Sequence, residues 1–136
     1  MRTSEKYLNE LEEYARKLGY NIVKNNYNYT LSGKIECIEF GFAFDTGAIA
    51  RLVKDNPDYY KVQIGSSVAF DDELGVIEIF NDVGSKIHYW SQANWYYLRT
   101  RWDLNKTKEL LYSNANQYKI CNIKKKRWKV ENIFKE

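Results

Sequence analysis

The sequence is poor in the residue types that build disulfide frameworks, linkers and metal sites. It has two cysteines, one histidine, one proline and seven glycines among its 136 residues. Two cysteines do not make a disulfide framework. A structural zinc site needs four Cys or His ligands, so we expect neither a metal nor another cofactor. One proline and scattered glycines leave little room for a flexible linker, and we predict a single domain over residues 1–136.

Long apolar runs are also absent. No segment approaches the ~18 consecutive apolar residues that a membrane span requires. The N-terminal residues lead into an amphipathic pattern with several acidic residues rather than into the apolar core of a secretory signal. Cys37 and Cys121 lie in predicted strands, where a buried reduced thiol is the common state of cysteine. We therefore expect a cytoplasmic protein that has no membrane partner.

Signatures of catalysis are missing as well. The glycines do not form a phosphate-binding or dinucleotide-binding pattern. A nucleophile with a histidine base would have to use His88, which is better explained as a partly buried strand residue with a local hydrogen bond. The acidic cluster of Asp71, Asp72 and Glu73 suggests an alternative, a Mg²⁺-dependent phosphodiesterase or nuclease. Three successive acids at a hairpin tip usually face water, so we expect that the protein is not an enzyme.

The order of the predicted elements indicates an α+β fold in which an N-terminal helix packs on a mostly antiparallel sheet. Apolar residues at helical spacing predict the first helix at about residues 4–18. Strands are predicted at 20–24, 27–31 and 34–40, followed by a helix at 45–55 for which an irregular loop or a strand is the alternative. A meander of 60–70, 76–80 and 86–91, bent at 65–67, is predicted to form the centre of the sheet. We predict a second helix near 104–116 and a C-terminal hairpin of 118–124 and 127–134.

The abundant feature is aromatic side chains, which make up 16% of the sequence and often lie beside Arg or Lys. Flat rings interleaved with cations are typical of surfaces that bind another macromolecule. We expect Trp90, Trp95 and Leu98 to belong to the core and Tyr96, Tyr97, Trp102 and Trp128 to point outward. The predicted partner-binding residues are Tyr96, Tyr97, Arg99, Arg101, Trp102, Lys124, Lys125, Lys126, Arg127, Trp128 and Lys129.

Charge is distributed unevenly along the chain. Residues 1–100 contain 11 Lys or Arg against 14 Asp or Glu, a net charge of −3, whereas residues 101–136 contain 10 against 4, a net charge of +6. The basic C-terminal part favours an acidic partner. A solvated edge hairpin kept soluble by its lysines is the alternative explanation.

These features predict a binding protein, and they leave the class of its partner open. Small size, missing catalytic signatures and the bipolar charge resemble, in type only, the stand-alone inhibitors that phages and other mobile elements direct against host defence proteins. We therefore expect a protein partner, namely a nucleic-acid-handling enzyme that this protein inhibits. One alternative is a single-stranded nucleic-acid-binding protein, whose rings would stack on bases while its cations bind phosphates. A homodimer is also possible.

Overall fold

The computed structural model describes residues 2–29, 33–42, 47–56 and 58–133. They form two long helices and seven strands in an α+β arrangement, which confirms the predicted fold class. In chain order the elements are α1 (Thr3–Lys17), β1 (Asn21–Tyr29), β2 (Gly33–Gly41), β3 (Ala48–Lys54), β4 (Tyr60–Ile64), β5 (Ser67–Asp71), β6 (Val76–Phe80), β7 (Asn94–Leu98) and α2 (Arg101–Ile133). A short 3₁₀ turn, Trp90–Gln92, precedes β7.

Five strands form one antiparallel sheet in the order β1-β2-β3-β4-β7. Ile38 lies opposite Leu52, Leu52 opposite Val62, and Val62 opposite Tyr96. Successive residues of a strand point to opposite faces, so this row faces one side of the sheet. The first three residues of the row are completely buried, and this side carries the core.

Both helices cover that side of the sheet. Leu8, Leu11 and Ala15 repeat at helical spacing on α1 and are buried in the same apolar cluster as Leu104 and Leu111 of α2. The second sheet, a hairpin of β5 and β6, packs beside α2. The pairing predicted for 27–31 with 34–40 is confirmed where the structure describes it, because β1 and β2 are antiparallel neighbours.

The chain leaves the large sheet at Gly65 and Ser66, where the predicted bend lies. A side chain at Gly65 would overlap the Ile79 methyl group, so only glycine lets β4 end this close to β6. The amide of Asn114 on α2 donates to the Gly65 carbonyl at 2.9 Å, and Gln117 accepts the Val68 N–H at 2.6 Å. Side chains of α2 therefore stabilise the segment that connects the two sheets.

The C-terminal hairpin predicted for 118–124 and 127–134 is wrong over its described residues, because α2 continues to Ile133. The helix also begins three residues before the predicted 104. Its N-terminus is a reciprocal cap, in which Asp103 N–H donates to Thr100 Oγ1 at 3.2 Å and Thr100 N–H donates to Asp103 Oδ2 at 3.1 Å. Neither Gly nor Pro occurs between 101 and 133, so nothing stops the helix once this cap has started it.

Two other predictions are corrected inside the sheet region. Of residues 45–55, Asp45 lies outside the described residues, and Ala48–Lys54 forms strand β3 rather than a helix. Pairing with β2 on one side and β4 on the other outweighs the helical preference of its two alanines. Residues 86–91 do not form a third meander strand, since Lys86 makes only an isolated bridge to Phe80. The strand order places β3, between β2 and β4, at the centre of the large sheet, while β5 and β6 form the second sheet.

Candidate functional site

The large sheet has a second face, opposite α1 and α2, on which neither of these two helices packs. Across all five strands, paired residues form a row of Val23, Glu39, Arg51, Gln63 and Trp95. A second row consists of Asn25, Cys37, Val53, Lys61 and Tyr97. These ten residues, with Tyr59 and Arg99 at the ends of β4 and β7, define the open sheet face.

One corner of the open sheet face is an aromatic–cation cluster of Tyr59, Lys61, Trp95, Tyr97 and Arg99. The guanidinium of Arg99 lies 3.9 Å from the ring centre of Tyr59 and 5.3 Å from that of Tyr97. The two tyrosine rings meet edge to face at 5.3 Å. The Lys61 ammonium lies 4.3 Å from the Trp95 ring centre. Each ring therefore has a cation within the ~6 Å over which cations attract the aromatic face.

A second ring–cation pair extends the cluster along the sheet. Arg51 lies 5.1 Å from the ring centre of Trp90. It also donates twice to Gln63 Oε1, at 3.0 and 2.7 Å, while the Gln63 amide donates to the Trp90 carbonyl at 3.1 Å. Gln63 is buried and satisfied at both ends, so it fixes the position of Arg51.

Between the cluster and the β1 edge, the open sheet face contains a small apolar cluster of Ile35, Cys37 and Val53. Burial raises the pKa of the Cys37 thiol above its usual value, which keeps it protonated at neutral pH. On the neighbouring strand the Tyr27 hydroxyl donates to the Glu39 carboxylate, and this bond raises the pKa of Tyr27. The face thus combines rings, aliphatic groups and a few charges, and its cations do not form one continuous basic patch.

The structure separates the predicted partner-binding residues into three groups. Tyr97 and Arg99 belong to the open sheet face. Arg101 and Trp102 lie at the start of α2, and Tyr96 of β7 contacts Trp102 on the helical side. The lysine-rich group of Lys124, Lys125, Lys126, Arg127, Trp128 and Lys129 lies near the other end of α2. At 1.5 Å per residue, the second and third groups are about 40 Å apart along the helix, so they do not form one surface.

Several side chains differ from the predicted exposure. Trp95 was expected in the core but is 42% exposed, while Leu98 is fully buried as predicted. Tyr96 was expected to point outward but packs partly buried against the core. Because β7 is a strand, Trp95 and Tyr97 share the outer face, and Tyr96 and Leu98 point to the other face.

At the start of α2, Arg101 is already engaged. Its guanidinium lies 2.8 Å from the Glu10 carboxylate of α1, which also pairs with Lys108 at 2.8 Å. Hydrogen bonds from Lys108 and Arg101 lower the pKa of Glu10. Trp102 is 64% exposed, with its ring 5.9 Å from that of Tyr96. Arg101 and Lys108 thus join α2 to α1 through Glu10, whereas Trp102 projects outward.

Trp128 was also expected to face solvent, but it is half-buried. Its indole N–H donates to the Asp72 carbonyl at 2.7 Å, and its ring lies against Gly75 in the turn between β5 and β6. Lys124, Lys126, Arg127 and Lys129 are exposed around it. Trp128 therefore fastens the distal part of α2 to the hairpin tip, and the cations beside it remain accessible.

The acids that suggested a magnesium site belong to this same turn. Asp71 Oδ1 accepts the N–H groups of Glu73 and Leu74 at 2.9 and 3.0 Å, and these bonds lower the pKa of Asp71. Asp71 thus shapes the turn, while Asp72 and Glu73 are exposed. Over the described parts of the chain, no three His, Cys, Asp or Glu side chains converge as metal ligands. His88, expected in a strand, is an exposed residue outside the strands.

Sequence reasoning missed Tyr59, Lys61 and Arg51 as site residues. Tyr59 precedes a strand whose alternation places Lys61 and Gln63 on one face and Tyr60, Val62 and Ile64 on the other. The polar half of that pattern was the available signal for an open face. None of the helices in the described ranges is long and apolar enough to cross a membrane. Comparisons with protein-family models, with curated proteins and with solved structures find no match to this chain.

Proposed function

We propose that this chain is a non-enzymatic binding protein that docks on another protein through its open sheet face. The observation that carries the proposal is the aromatic–cation cluster, in which each of three rings contacts a cation on a sheet face that neither α1 nor α2 covers. Trp, Tyr and Arg are the residues that most often dominate the binding energy of protein interfaces.

The cluster is organised before any partner binds. Trp95 and Tyr97 are two positions apart on β7, and Lys61 lies opposite Tyr97 on β4. A rigid strand pair therefore sets the spacing of the rings, and the cation–ring contacts restrict the rotamers of Arg99 and Lys61. Ordering a free side chain on binding costs about 0.5–1.5 kcal/mol, and side chains that are already ordered avoid most of this cost.

The size of the face also suits a protein interface. Five strands about 4.8 Å apart span roughly 20 Å, and strands of five to nine residues extend about 17–30 Å. This amounts to several hundred Å², the order of the ~800 Å² that each partner contributes to a standard interface. The cluster alone is much smaller, so we expect the partner to extend across the face toward Val23, which is exposed on β1.

The charge of the face favours protein over nucleic acid. Its cations are Arg51, Lys61 and Arg99, and they are offset by Glu39 and by Asp55, whose carboxylate lies 3.7 Å from the Lys61 ammonium. A surface that binds nucleic acid gains most of its affinity from many unpaired cations that neutralise phosphates. Here the cations contact rings, an amide and a carboxylate.

The proposed partner class is a nucleic-acid-handling enzyme that this protein inhibits in the cytoplasm. Support for the class comes from the bipolar charge of the sequence, and support for the compartment comes from two free, buried cysteines. In this proposal the open sheet face supplies specificity, and the inhibited enzyme loses activity because the bound protein blocks access to it.

The test is quantitative affinity purification from the source cell with the full chain as bait, followed by binding to the purified partner. We expect one protein to be enriched by the wild-type chain and lost with Tyr97→Ala and with Arg99→Ala. Trp102→Ala is the matched control, because Trp102 is an exposed ring at the other side of the molecule. Adding the purified chain should reduce the activity of the partner in a nuclease or nucleic-acid-binding assay.

Two outcomes would contradict the proposal. In the first, Trp102→Ala abolishes partner binding and Tyr97→Ala does not, which would move the interface to the start of α2. In the second, fluorescence anisotropy shows salt-sensitive binding of a single-stranded oligonucleotide that depends on Tyr97 and Arg99. That result would establish the nucleic-acid-binding alternative, since rings stacked on bases contribute ~1–3 kcal/mol per base.

A further inference from the structure

The distal part of α2 has an apolar stripe on the side that faces away from the molecule. Ile120, Ile123 and Val130 are each between 54% and 57% exposed, although the same helix buries Tyr118 and Cys121 on its inner side. Trp128 attaches the inner side to the hairpin through the Asp72 carbonyl. The orientation of the helix is therefore fixed, and the stripe points into solvent.

The spacing of the stripe is that of a helix-pairing seam. Positions 120, 123, 127 and 130 follow the 3-4-3 pattern of alternating core positions in a coiled coil, with Arg127 as the one charged member. Lys119 and Lys126 flank the seam on one side, and Lys124 flanks it on the other. All three lysines occupy the positions whose charges select the partner of a coiled coil.

The charge of this segment is strongly one-sided. Between residues 118 and 133 there are six Lys or Arg and one Asp or Glu, which is Glu131. In a parallel pair, a second copy of the helix would place Lys119 against Lys124 and Lys126 against Glu131. One unfavourable pair then offsets one favourable pair, whereas an acidic partner can pair with all three lysines. The stripe is also narrow and contains only aliphatic residues, whereas interfacial membrane helices use a wide face with Trp, Phe or Leu.

We infer that the distal seam of α2, formed by Ile120, Ile123, Arg127 and Val130, binds an acidic amphipathic helix of another protein. Aliphatic groups of the two helices pack together, and Asp or Glu beside the apolar side of the partner helix pairs with Lys119, Lys124 and Lys126. This seam lies on the helical side of the molecule and is independent of the open sheet face. The protein therefore has two docking surfaces that differ in chemistry.

The experiment uses the full chain and a designed probe. The probe is a labelled three-heptad peptide with Ile and Leu at its core positions and Glu at both flanking positions, and its counterpart carries Lys in place of Glu. Titration by fluorescence anisotropy should show that the Glu peptide binds at least about tenfold more tightly than the Lys peptide. Binding should weaken as the salt concentration rises, because exposed charges are screened.

Variants of the chain separate the seam from general electrostatic attraction. The double variant Ile120→Ser and Ile123→Ser should weaken binding of the Glu peptide at least about tenfold, because each change removes an aliphatic side chain that would pack against the peptide. Reversing charge beside the seam with Lys126→Glu should also weaken it severalfold. Lys129→Glu is the matched control, because it makes the same charge change at a position that does not flank the seam and should weaken binding much less. Unchanged circular dichroism would confirm that the variants remain folded.

Several results would overturn the inference. These are no binding of the Glu peptide, equal binding of the Lys peptide, or a loss with Lys129→Glu as large as with Lys126→Glu. Concentration-dependent dimerisation that requires Ile123 would assign the seam to a second copy instead. Binding to anionic phospholipid vesicles that requires Ile120 and Ile123, without peptide binding, would assign it to a membrane. Tyr97→Ala should not affect peptide binding, so this test and that of the open sheet face can fail separately.

Discussion

Asn114 is the polar side chain on which the junction between the two sheets depends. It is completely buried on α2 and donates to the Gly65 carbonyl, while its own Oδ1 has no hydrogen-bond partner in the described structure. A buried carbonyl that loses its donor retains its full desolvation cost, about 1–3 kcal/mol. The residue therefore fixes where the chain turns from β4 into β5.

Replacing this amide should destabilise the protein strongly. We expect Asn114→Ala to lower the free energy of unfolding by about 2–4 kcal/mol, because it leaves the Gly65 carbonyl unpaired and opens a cavity. Asn116→Ala, at an exposed position of the same helix, should change it by less than about 0.5 kcal/mol. Urea unfolding followed by circular dichroism measures both, and equal effects would contradict the role assigned to Asn114.

A buried phenol makes stability depend on pH in the alkaline range. Tyr20 donates to the Leu111 carbonyl at 2.8 Å, and burial raises the pKa of Tyr20 well above its ordinary value of 10.0. In the unfolded chain the phenol loses its proton near pH 10, while in the folded protein it keeps it. The contribution of Tyr20 is thus fully present below pH 10 and is lost as pH rises above that value.

The Tyr20→Phe variant isolates this effect. We expect it to be about 1 kcal/mol less stable at pH 7, because the hydrogen bond is lost. Above pH 10 its stability should fall less steeply than that of the wild type, so that the two curves converge. Free energies of unfolding measured from pH 7 to 11.5 provide the comparison, and parallel curves throughout would disprove the assignment.

At the scale of elements, α2 consists of two parts in different environments. Its first part packs under the sheet through Leu104, Leu111 and Ala115. Beyond Cys121 the inner side of the helix is held mainly by Trp128 at the hairpin tip. Segments with few buried contacts open locally with small free energies, so the distal part should be the more dynamic of the two.

Gly75 tests this attachment. It has φ +70°, and a Cβ at this position would lie 2.5 Å from the Trp128 ring. Gly75→Ala should therefore displace the indole and increase amide hydrogen exchange over residues 122–133, leaving 104–118 protected. Gly84→Ala is the matched control, because Gly84 has a similar φ of +82° but open space around it. Fast amide exchange over residues 122–133 in both variants would show that backbone strain, and not displacement of the Trp128 ring, causes the effect.

The distal helix also shows why sequence reasoning located some elements and missed others. The first helix and the β1–β2 pairing were predictable because their apolar periodicity agrees with their final environment. Residues 118–133 contain Ile, Val, Tyr and Trp, which favour strands locally, and the interrupting lysines resembled a turn. The cap at Thr100 and Asp103 and the lack of Gly or Pro favoured one continuous helix, and only the hairpin contact of Trp128 explains how its end is held.

The candidate site was predictable in composition and not in layout. Tyr97 and Arg99 were identified from rings beside cations, but Tyr59 and Lys61 lie about 40 positions earlier in the chain. They meet because β4 pairs directly with β7, although β5 and β6 lie between these two strands in the chain. Non-local pairing of this kind is set by the whole fold, and spacing within one segment does not reveal it.

At the scale of the whole molecule, the two faces of the sheet have different roles. The helical side carries the core, and the open sheet face carries the proposed binding residues. Leu98 and Tyr97 are adjacent on β7, yet Leu98 is fully buried and Tyr97 is 44% exposed on the other face. Neighbouring positions in one strand should therefore respond to mutation in opposite ways.

A pair of alanine variants measures this division. Leu98→Ala should lower the free energy of unfolding by about 2–4 kcal/mol, because it opens a cavity in the core. Tyr97→Ala should cost at most about 1 kcal/mol and should instead abolish partner binding. Chemical denaturation gives both values. A large loss of stability in Tyr97→Ala would show that the ring serves folding rather than recognition.

The two thiols provide built-in probes of this layered architecture. Cys37 lies beneath the surface opposite the helices, and Cys121 lies under β5, with its sulfur 3.8 Å from the Val68 carbonyl oxygen. An alkylating reagent can reach each sulfur only when the layer above it opens. The labelling rates of the two sulfurs therefore report separately on the two sides, and a ligand that occupies one side should slow alkylation there alone.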